Sequence, residues 1–215
     1  MIREKIPDKI RLFEITAVLI TGAGKFILMD WLEWRLIYTS CAILFWITYI
    51  IIRYRQDKHI LKYWGFKRED FTTVLIRLLP FALPAVLLFF LIGYLRNTII
   101  LSWHIIPVLI LYPAWGIIQQ FLVVGLVAGN LQDMDGKKPP RWQIIGLTSI
   151  LFAAVHYPYW WLVGGTFLLA LIYTTIYLSR RNIFALGLLH GWLGAFFFYT
   201  VMNRDPWIEM FRNFI

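Results

Sequence analysis

The stretch WGIIQQFLVVGLVAGN, residues 115–130, places two adjacent glutamines inside an apolar run that is long enough to cross a bilayer. Hydrocarbon offers no hydrogen-bond partner, so Gln119 and Gln120 need polar partners from other segments of the chain. Two later apolar segments each carry a histidine, His156 and His190. These four side chains are therefore the first candidates for a functional site.

The composition is that of a polytopic membrane protein. Of the 215 residues, 60% are hydrophobic and only 15% are charged, which lies far outside the range of soluble globular domains. The net charge of +9 comes from basic loops between apolar runs, so membrane topology explains it better than binding to nucleic acid. The single cysteine, Cys41, excludes a disulfide framework and a zinc-type cysteine cluster.

The apolar runs predict an all-α fold, a polytopic membrane helical bundle with about seven transmembrane helices. The fourth run is longer than a straight crossing needs, and tilt, a break or a re-entrant start would accommodate the excess. Eight membrane segments are the alternative to seven. The predicted runs are residues 12–29, 36–52, 71–95, 99–131, 144–157, 161–178 and 183–202. Residues 1–215 are expected to form a single integral membrane domain. The basic connector at residues 53–70 is either an interfacial amphipathic segment or a solvated loop.

The distribution of basic residues predicts the orientation of the chain. With seven spans, the side of the N-terminus receives most of them, including Arg3 and Lys5. The opposite side receives only Arg35, Arg96, Arg204 and Arg212. The positive-inside rule then places the N-terminus in the cytoplasm, and we expect a prokaryotic inner or plasma membrane.

The depth of the four candidates supports a site rather than four separate structural hydrogen bonds. Counted along their spans, all four lie roughly 12 to 18 Å into the membrane, on three separate spans. Two histidines are too few for a catalytic zinc, which needs three protein ligands, and His104 lies too shallow to join them. We therefore expect no cofactor, with a metal ion held by His156 and His190 as the alternative. Glu14 is the only acidic residue inside a predicted span, and a carboxamide cannot act as a general base.

These residues resemble the motifs of the CPBP family, the CAAX-processing and bacteriocin-processing intramembrane proteases also called the Abi family. Its members carry the motifs EExxxR, FxxxH and HxxxN or HxxxD. The corresponding frames here read QQFLVVG at residues 119–125, FAAVH at 152–156 and HGWLG at 190–194. The resemblance covers a core of about residues 63–199.

The resemblance implies a site in which one glutamate activates water while a second glutamate and an arginine organise it. The histidines and an asparagine then orient water and stabilise the oxyanion. Here the two histidines are retained, and Phe152 and Trp192 are expected to help bind a ligand. The four altered positions are Gln119 and Gln120 for the glutamates, Val124 for the arginine and Gly194 for the asparagine.

Three functions follow from this pattern. The leading hypothesis is a CPBP-like homologue without glutamate-dependent proteolysis, which binds a membrane peptide, a lipid or isoprenoid tail, or a membrane protein in the former active-site pocket. The first alternative is an active intramembrane endopeptidase that uses His156 or His190 as its base. The second is a structural subunit of a membrane complex, in which the bilayer and other proteins are the partners.

Overall fold

The computed structural model of the protein describes residues 6–100 and 102–211. Within these ranges the chain is mostly helical and has no strand, which confirms the all-α prediction. Arg3, Lys5 and Arg212, which contribute to the predicted charge asymmetry, lie outside the described residues.

The helices follow one another along the chain with short connections. They are α1 (Asp8–Gly24) with a π-helical continuation (Lys25–Trp31), α2 (Arg35–Gln56), α3 (Ile60–Trp64), α4 (Phe71–Arg96), α5 (Ile105–Gln120) with a π-helical segment (Phe121–Ala128), α6 (Gly129–Asp133), α7 (Arg141–Ala154), α8 (Trp160–Ser179), α9 (Ile183–Thr200) and α10 (Pro206–Phe211).

Six helical stretches of the described chain are long and apolar enough to cross a membrane. They are Asp8–Trp31, Arg35–Gln56, Phe71–Arg96, Ile105–Asp133, Trp160–Ser179 and Ile183–Thr200. The polytopic helical membrane fold is therefore confirmed. The remaining predicted run, residues 144–157, corresponds to α7, which has 14 residues. At about 1.5 Å per residue α7 is shorter than the roughly 30 Å hydrocarbon core, so the count of seven helices stays a prediction.

The contacts divide the chain into two compact units, each built from two chain segments. The first unit combines Met1–Phe66 with Phe121–Arg181, and the second combines Lys67–Gln120 with Asn182–Ile215. The prediction of a single membrane domain stays a prediction.

In the first unit, the π-helical segment Phe121–Ala128 packs against α1, α7 and α8, and α7 packs along α8. The connector that was expected to be either interfacial or solvated forms α3, whose Trp64 is buried. The Trp64 and Phe121 rings lie 5.0 Å apart in an edge-on arrangement, and the Tyr177 hydroxyl donates to the Trp64 carbonyl at 2.9 Å. Trp64 and Ile60, two of the apolar residues of the connector, are therefore enclosed by protein.

In the second unit, α9 packs against both α4 and α5. Gly116 on α5 lies against Gly187 and Gly191 on α9, where backbone meets backbone. A Cβ atom on Gly191 would lie 2.5 Å from backbone atoms of Tyr112 and Pro113, a distance that real side chains do not tolerate. Small residues of this kind let membrane helices approach closely, so these glycines set the spacing of α5 and α9.

Candidate functional site

Gln119 and His190 form the centre of the candidate site, in the second unit. The Nε2–H of His190 donates to Oε1 of Gln119 at 2.8 Å. An amide oxygen can only accept, so this imidazole nitrogen carries the proton. Gly116 precedes Gln119 by one helical turn and Gly191 directly follows His190. The close glycine contact between α5 and α9 therefore brings the two polar side chains within hydrogen-bond distance.

Gln120, the neighbour of Gln119 on α5, is buried, with 1% of its surface exposed. Neither its Nε2 nor its Oε1 has a hydrogen-bond partner among the residues that the structure describes. Leaving a buried polar group unpaired costs about 1–3 kcal/mol. Gln120 therefore holds an unused donor and an unused acceptor beside the Gln119–His190 pair.

The π-helical segment Phe121–Ala128 begins directly after Gln120. In a π-helix each backbone N–H bonds five residues back, which widens the turn, and such segments occur frequently at functional sites. Val124, at the position of the family's arginine, lies in this segment and is 1% exposed. A valine there fills an apolar environment without offering any charge.

His156 and Phe152 belong to the first unit, just where α7 ends. The Nδ1–H of His156 donates to the Phe152 carbonyl at 2.7 Å, and the two rings lie 4.9 Å apart, edge to face. Because the carbonyl fixes the proton on Nδ1, the Nε2 of a neutral His156 is an acceptor. Phe152, predicted to help bind a ligand, packs with Val123 and Ala170 inside this unit.

Trp192 and Gly194 lie on α9, in the second unit. Trp192, also predicted to help bind a ligand, is 39% exposed and donates its indole N–H to a carbonyl of α5. A Cβ atom on Gly194 would meet only the Tyr112 ring, at 3.7 Å, which is ordinary van der Waals contact. The backbone at Gly194 therefore leaves room for the first side-chain atom of the asparagine that the family carries there.

The motif positions in both units fall within one continuous match to a known family. Residues 100–196 match the family model "Type II CAAX prenyl endopeptidase Rce1-like". This match confirms the resemblance to the CPBP family over that segment and supports a protease-like homologue. No curated protein and no solved structure matches the chain.

The side chains at the CPBP-like site do not provide the ligands that a catalytic zinc ion needs. Gln119 and His190 supply one amide oxygen and one imidazole, whereas catalytic zinc sites use three ligands of nitrogen, sulfur or carboxylate type. Across residues 6–100 and 102–211, no three or more His, Cys, Asp or Glu side chains are grouped as metal ligands.

His104, considered from the sequence as an outlying ligand, instead bonds Asp205 in the second unit, with Nδ1 and Oδ2 2.8 Å apart. Ser102 and Tyr199 also donate to this carboxylate, at 3.0 Å and 2.9 Å. Burial acts to raise the pKa of Asp205, but the hydrogen bonds from His104, Tyr199 and Ser102 outweigh it and hold the pKa below its usual value. The carboxylate therefore joins the start of α5 to the segment after α9.

A second polar cluster, which sequence reasoning did not assemble, lies around Glu14 in the first unit. Glu14 is completely buried. The Tyr49 hydroxyl donates to its Oε1 at 2.5 Å and the Asn130 amide donates to its Oε2 at 2.5 Å, while the Arg53 Nε lies 3.7 Å away. The cluster thus ties α1 to α2 and to α6.

Arg11 extends this cluster one helical turn along α1. It donates to Asn130 Oδ1 at 3.3 Å and to the Tyr63 hydroxyl. Tyr63 in turn donates to Asp133 at 2.5 Å, and Arg181 donates to the same carboxylate at 2.8 Å. The sequence did carry a signal, because an acidic residue inside a membrane span requires a partner. It did not say which of many distant residues that partner would be.

Proposed function

We propose that this protein is a CPBP-type homologue that does not perform glutamate-dependent proteolysis and instead binds a membrane-embedded partner. The carrying observation is the hydrogen bond from His190 Nε2–H to the Gln119 amide oxygen at 2.8 Å. Gln119 holds the position of the water-activating glutamate, and a carboxamide does not accept a proton near neutral pH. His190 is therefore held in place by a hydrogen bond, while the glutamate that would accept the proton is replaced by Gln119.

The chemistry of Gln120 favours a peptide segment as the partner, either free or part of a membrane protein. Its amide is 1% exposed and holds one unpaired donor and one unpaired acceptor, so a backbone peptide group that reached it would supply the matching acceptor and donor. A lipid or isoprenoid tail offers neither, so it is the weaker candidate for this position.

The rival function is an intramembrane hydrolase with a histidine base. His156 supports it, because its Nδ1–H is held by the Phe152 carbonyl and its Nε2 is left as a proton acceptor. His190 supports it in the same way, because its Nε2–H is donated to Gln119 and Nδ1 is then the acceptor nitrogen of the neutral ring.

We also propose that the N-terminus is cytoplasmic, that the membrane is a prokaryotic inner or plasma membrane, and that no metal or other cofactor is needed. The asymmetry of the basic loops supports the orientation. Gln119 and His190 supply only one amide oxygen and one imidazole as metal ligands, which supports a metal-independent function.

The first test is a cleavage assay in proteoliposomes with a prenylated CAAX peptide and an unprenylated transmembrane peptide. We expect no cleavage above that of empty vesicles. Cleavage by the wild type that disappears in His156→Ala would overturn the proposal in favour of the rival.

The second test is mass spectrometry of peptides that co-purify with the protein. Gln120→Leu keeps the volume and removes both polar atoms, so we expect it to lose the captured peptide. Gln143→Leu, at the start of α7, is the matched control and should retain it. Capture that is the same in wild type, Gln120→Leu and His190→Ala would contradict the assignment of this site.

A further inference from the structure

A surface groove of about 400 Å³ lies in the second unit, where α4 and α9 begin. It is lined by Arg68, Phe71, Thr72 and Phe184. Two aromatic rings and one cation thus share a small concave surface. The groove contains none of the residues of the Gln119–His190 site.

The charge in the groove is not neutralised by the protein. The neighbouring Lys67 forms an ion pair with Asp70, with Nζ and Oδ2 2.8 Å apart. Arg68 is exposed and makes no ion pair within the part of the chain that the structure describes. Its guanidinium, with five donors in a planar fork, is suited to the oxygens of a phosphate group.

The loop that carries Arg68 is held to the start of α9 by Asn182. This asparagine is fully buried, and its Nδ2 donates to the carbonyls of Lys67 and Glu69, both at 2.9 Å. Its Oδ1 accepts from the backbone N–H of Ala185 at 2.9 Å. Asn182 therefore caps the first turn of α9. The backbone that carries Arg68 and Phe184 is therefore held in place before any ligand arrives, which reduces the entropy cost of binding.

The position of the groove along the helices indicates the source of the phosphate. α4 and α9 are both candidate membrane spans, and Phe71–Arg96 has a mean hydropathy of 2.5. Their first turns therefore lie near the level of the lipid head groups. Basic side chains at that level attract anionic lipids, while the two phenylalanines offer an apolar surface to the glycerol and upper acyl region.

We propose that this groove binds an anionic phospholipid, with Arg68 on the phosphate and with Phe71 and Phe184 against the upper acyl chain. The site is independent of the proposed function, because it shares no residue with the pair on α5 and α9. It gives the second unit a preferred lipid at one membrane surface.

The test uses the full-length protein in detergent, titrated with phosphatidylglycerol and followed by native mass spectrometry and by thermal unfolding. Arg68→Gln is compared with Arg55→Gln, an exposed arginine at the end of α2 in the first unit. Loss of one interfacial cation should weaken phosphatidylglycerol binding by about fivefold. We expect this loss in Arg68→Gln and not in Arg55→Gln, and we expect Phe184→Ala to weaken lipid binding as well.

Two further ligands distinguish binding of an anionic lipid head group from binding of free phosphate. Phosphatidylcholine, whose head group has no net charge, should bind wild type and Arg68→Gln equally. Inorganic phosphate should not displace phosphatidylglycerol, because it lacks the acyl contacts. Equal affinity of Arg68→Gln and Arg55→Gln for phosphatidylglycerol, or full displacement by inorganic phosphate, would overturn the proposal.

Discussion

Trp192 donates its indole N–H to the carbonyl oxygen of Leu109, across 3.1 Å between α9 and α5. Four residues after Leu109 comes Pro113, which has no N–H to complete the usual helical hydrogen bond. Trp192 therefore supplies the donor that the proline removes. Inside a membrane such replacement matters because lipid cannot provide it.

Trp192→Phe should retain most of the aromatic packing and lose the donor. We expect the free energy of unfolding to fall by about 1 kcal/mol, the net value of one hydrogen bond. Chemical unfolding in mixed micelles measures this. Trp142→Phe, an exposed tryptophan on α7, should be neutral, and an equal loss in both variants would show that the bond to Leu109 has no special weight.

Gly191→Ala should disturb the helix contact that positions His190. The new Cβ would meet backbone of Tyr112 and Pro113 at 2.5 Å, so α5 and α9 must separate, at a cost of about 1–3 kcal/mol. We also expect the His190 side-chain signals to shift in NMR spectra of ¹⁵N-histidine-labelled protein, because the bond to Gln119 lengthens.

Gly146→Ala is the control for this variant. A Cβ atom on Gly146 would have nothing within 4 Å, and alanine restricts the unfolded chain, so its effect should be neutral or stabilising by up to about 1 kcal/mol. If Gly191→Ala is tolerated as well as Gly146→Ala, the glycines do not set the spacing of α5 and α9.

Glu14→Ala should be among the most destabilising single changes in the first unit. It removes the carboxylate that faces Arg53 at 3.7 Å and leaves a buried positive charge uncompensated, which typically costs about 3–5 kcal/mol. Asp30→Ala removes the partner of Lys25 from a more exposed pair and should cost about 1 kcal/mol or less. Similar losses of unfolding free energy in the two variants would contradict the view that Glu14 compensates a buried positive charge.

Asp205 makes the stability of the second unit depend on pH. Its pKa in the folded protein is held below the usual 3.8, so the folded state favours the charged form. The stabilisation is complete above the usual pKa and is lost as the pH falls through the lower, folded value.

The thermal midpoints of wild type and Asp205→Asn, measured from about pH 6 to about pH 3, give the direct comparison. We expect a constant difference at the upper end that narrows as the carboxylate becomes protonated. His104→Gln removes the hydrogen bond that lowers the pKa of Asp205 most, so the difference at the upper end should be smaller and the narrowing should end at a higher pH. A difference that stays constant to the lowest pH would rule out this account.

The sequence predicted six of the seven runs as helices of membrane-spanning length because apolar length is a local property, while the run at residues 144–157 stays a prediction as a span. The run at residues 71–95 became Phe71–Arg96, with almost the same ends. The pairing of Gln119 with His190 was only partly predictable. Their equal depth indicated proximity, but the contact depends on where Gly116 meets Gly187 and Gly191, a packing detail that no single helix contains.

Other features had no sequence signal that could have located them. The π-helical turn after Gln120 depends on the hydrogen-bond register of the backbone, which Phe121–Ala128 does not encode in its apolar pattern. The bond between Glu14 and Asn130 joins residues separated by 116 positions. The tertiary fold, and not the local sequence, therefore determines which polar residue pairs with Glu14.

The partners of Glu14 are also synthesised at different times. Tyr49 and Arg53 follow on the very next helix, whereas Asn130 is added only after α4 and α5 have been synthesised. An unpaired carboxylate inside an inserting helix is costly, by up to about 3 kcal/mol at the helix centre. The helical hairpin of α1 and α2 carries its own neutralising groups, so the nascent chain can enter the bilayer as a pair of helices long before its final partner leaves the ribosome.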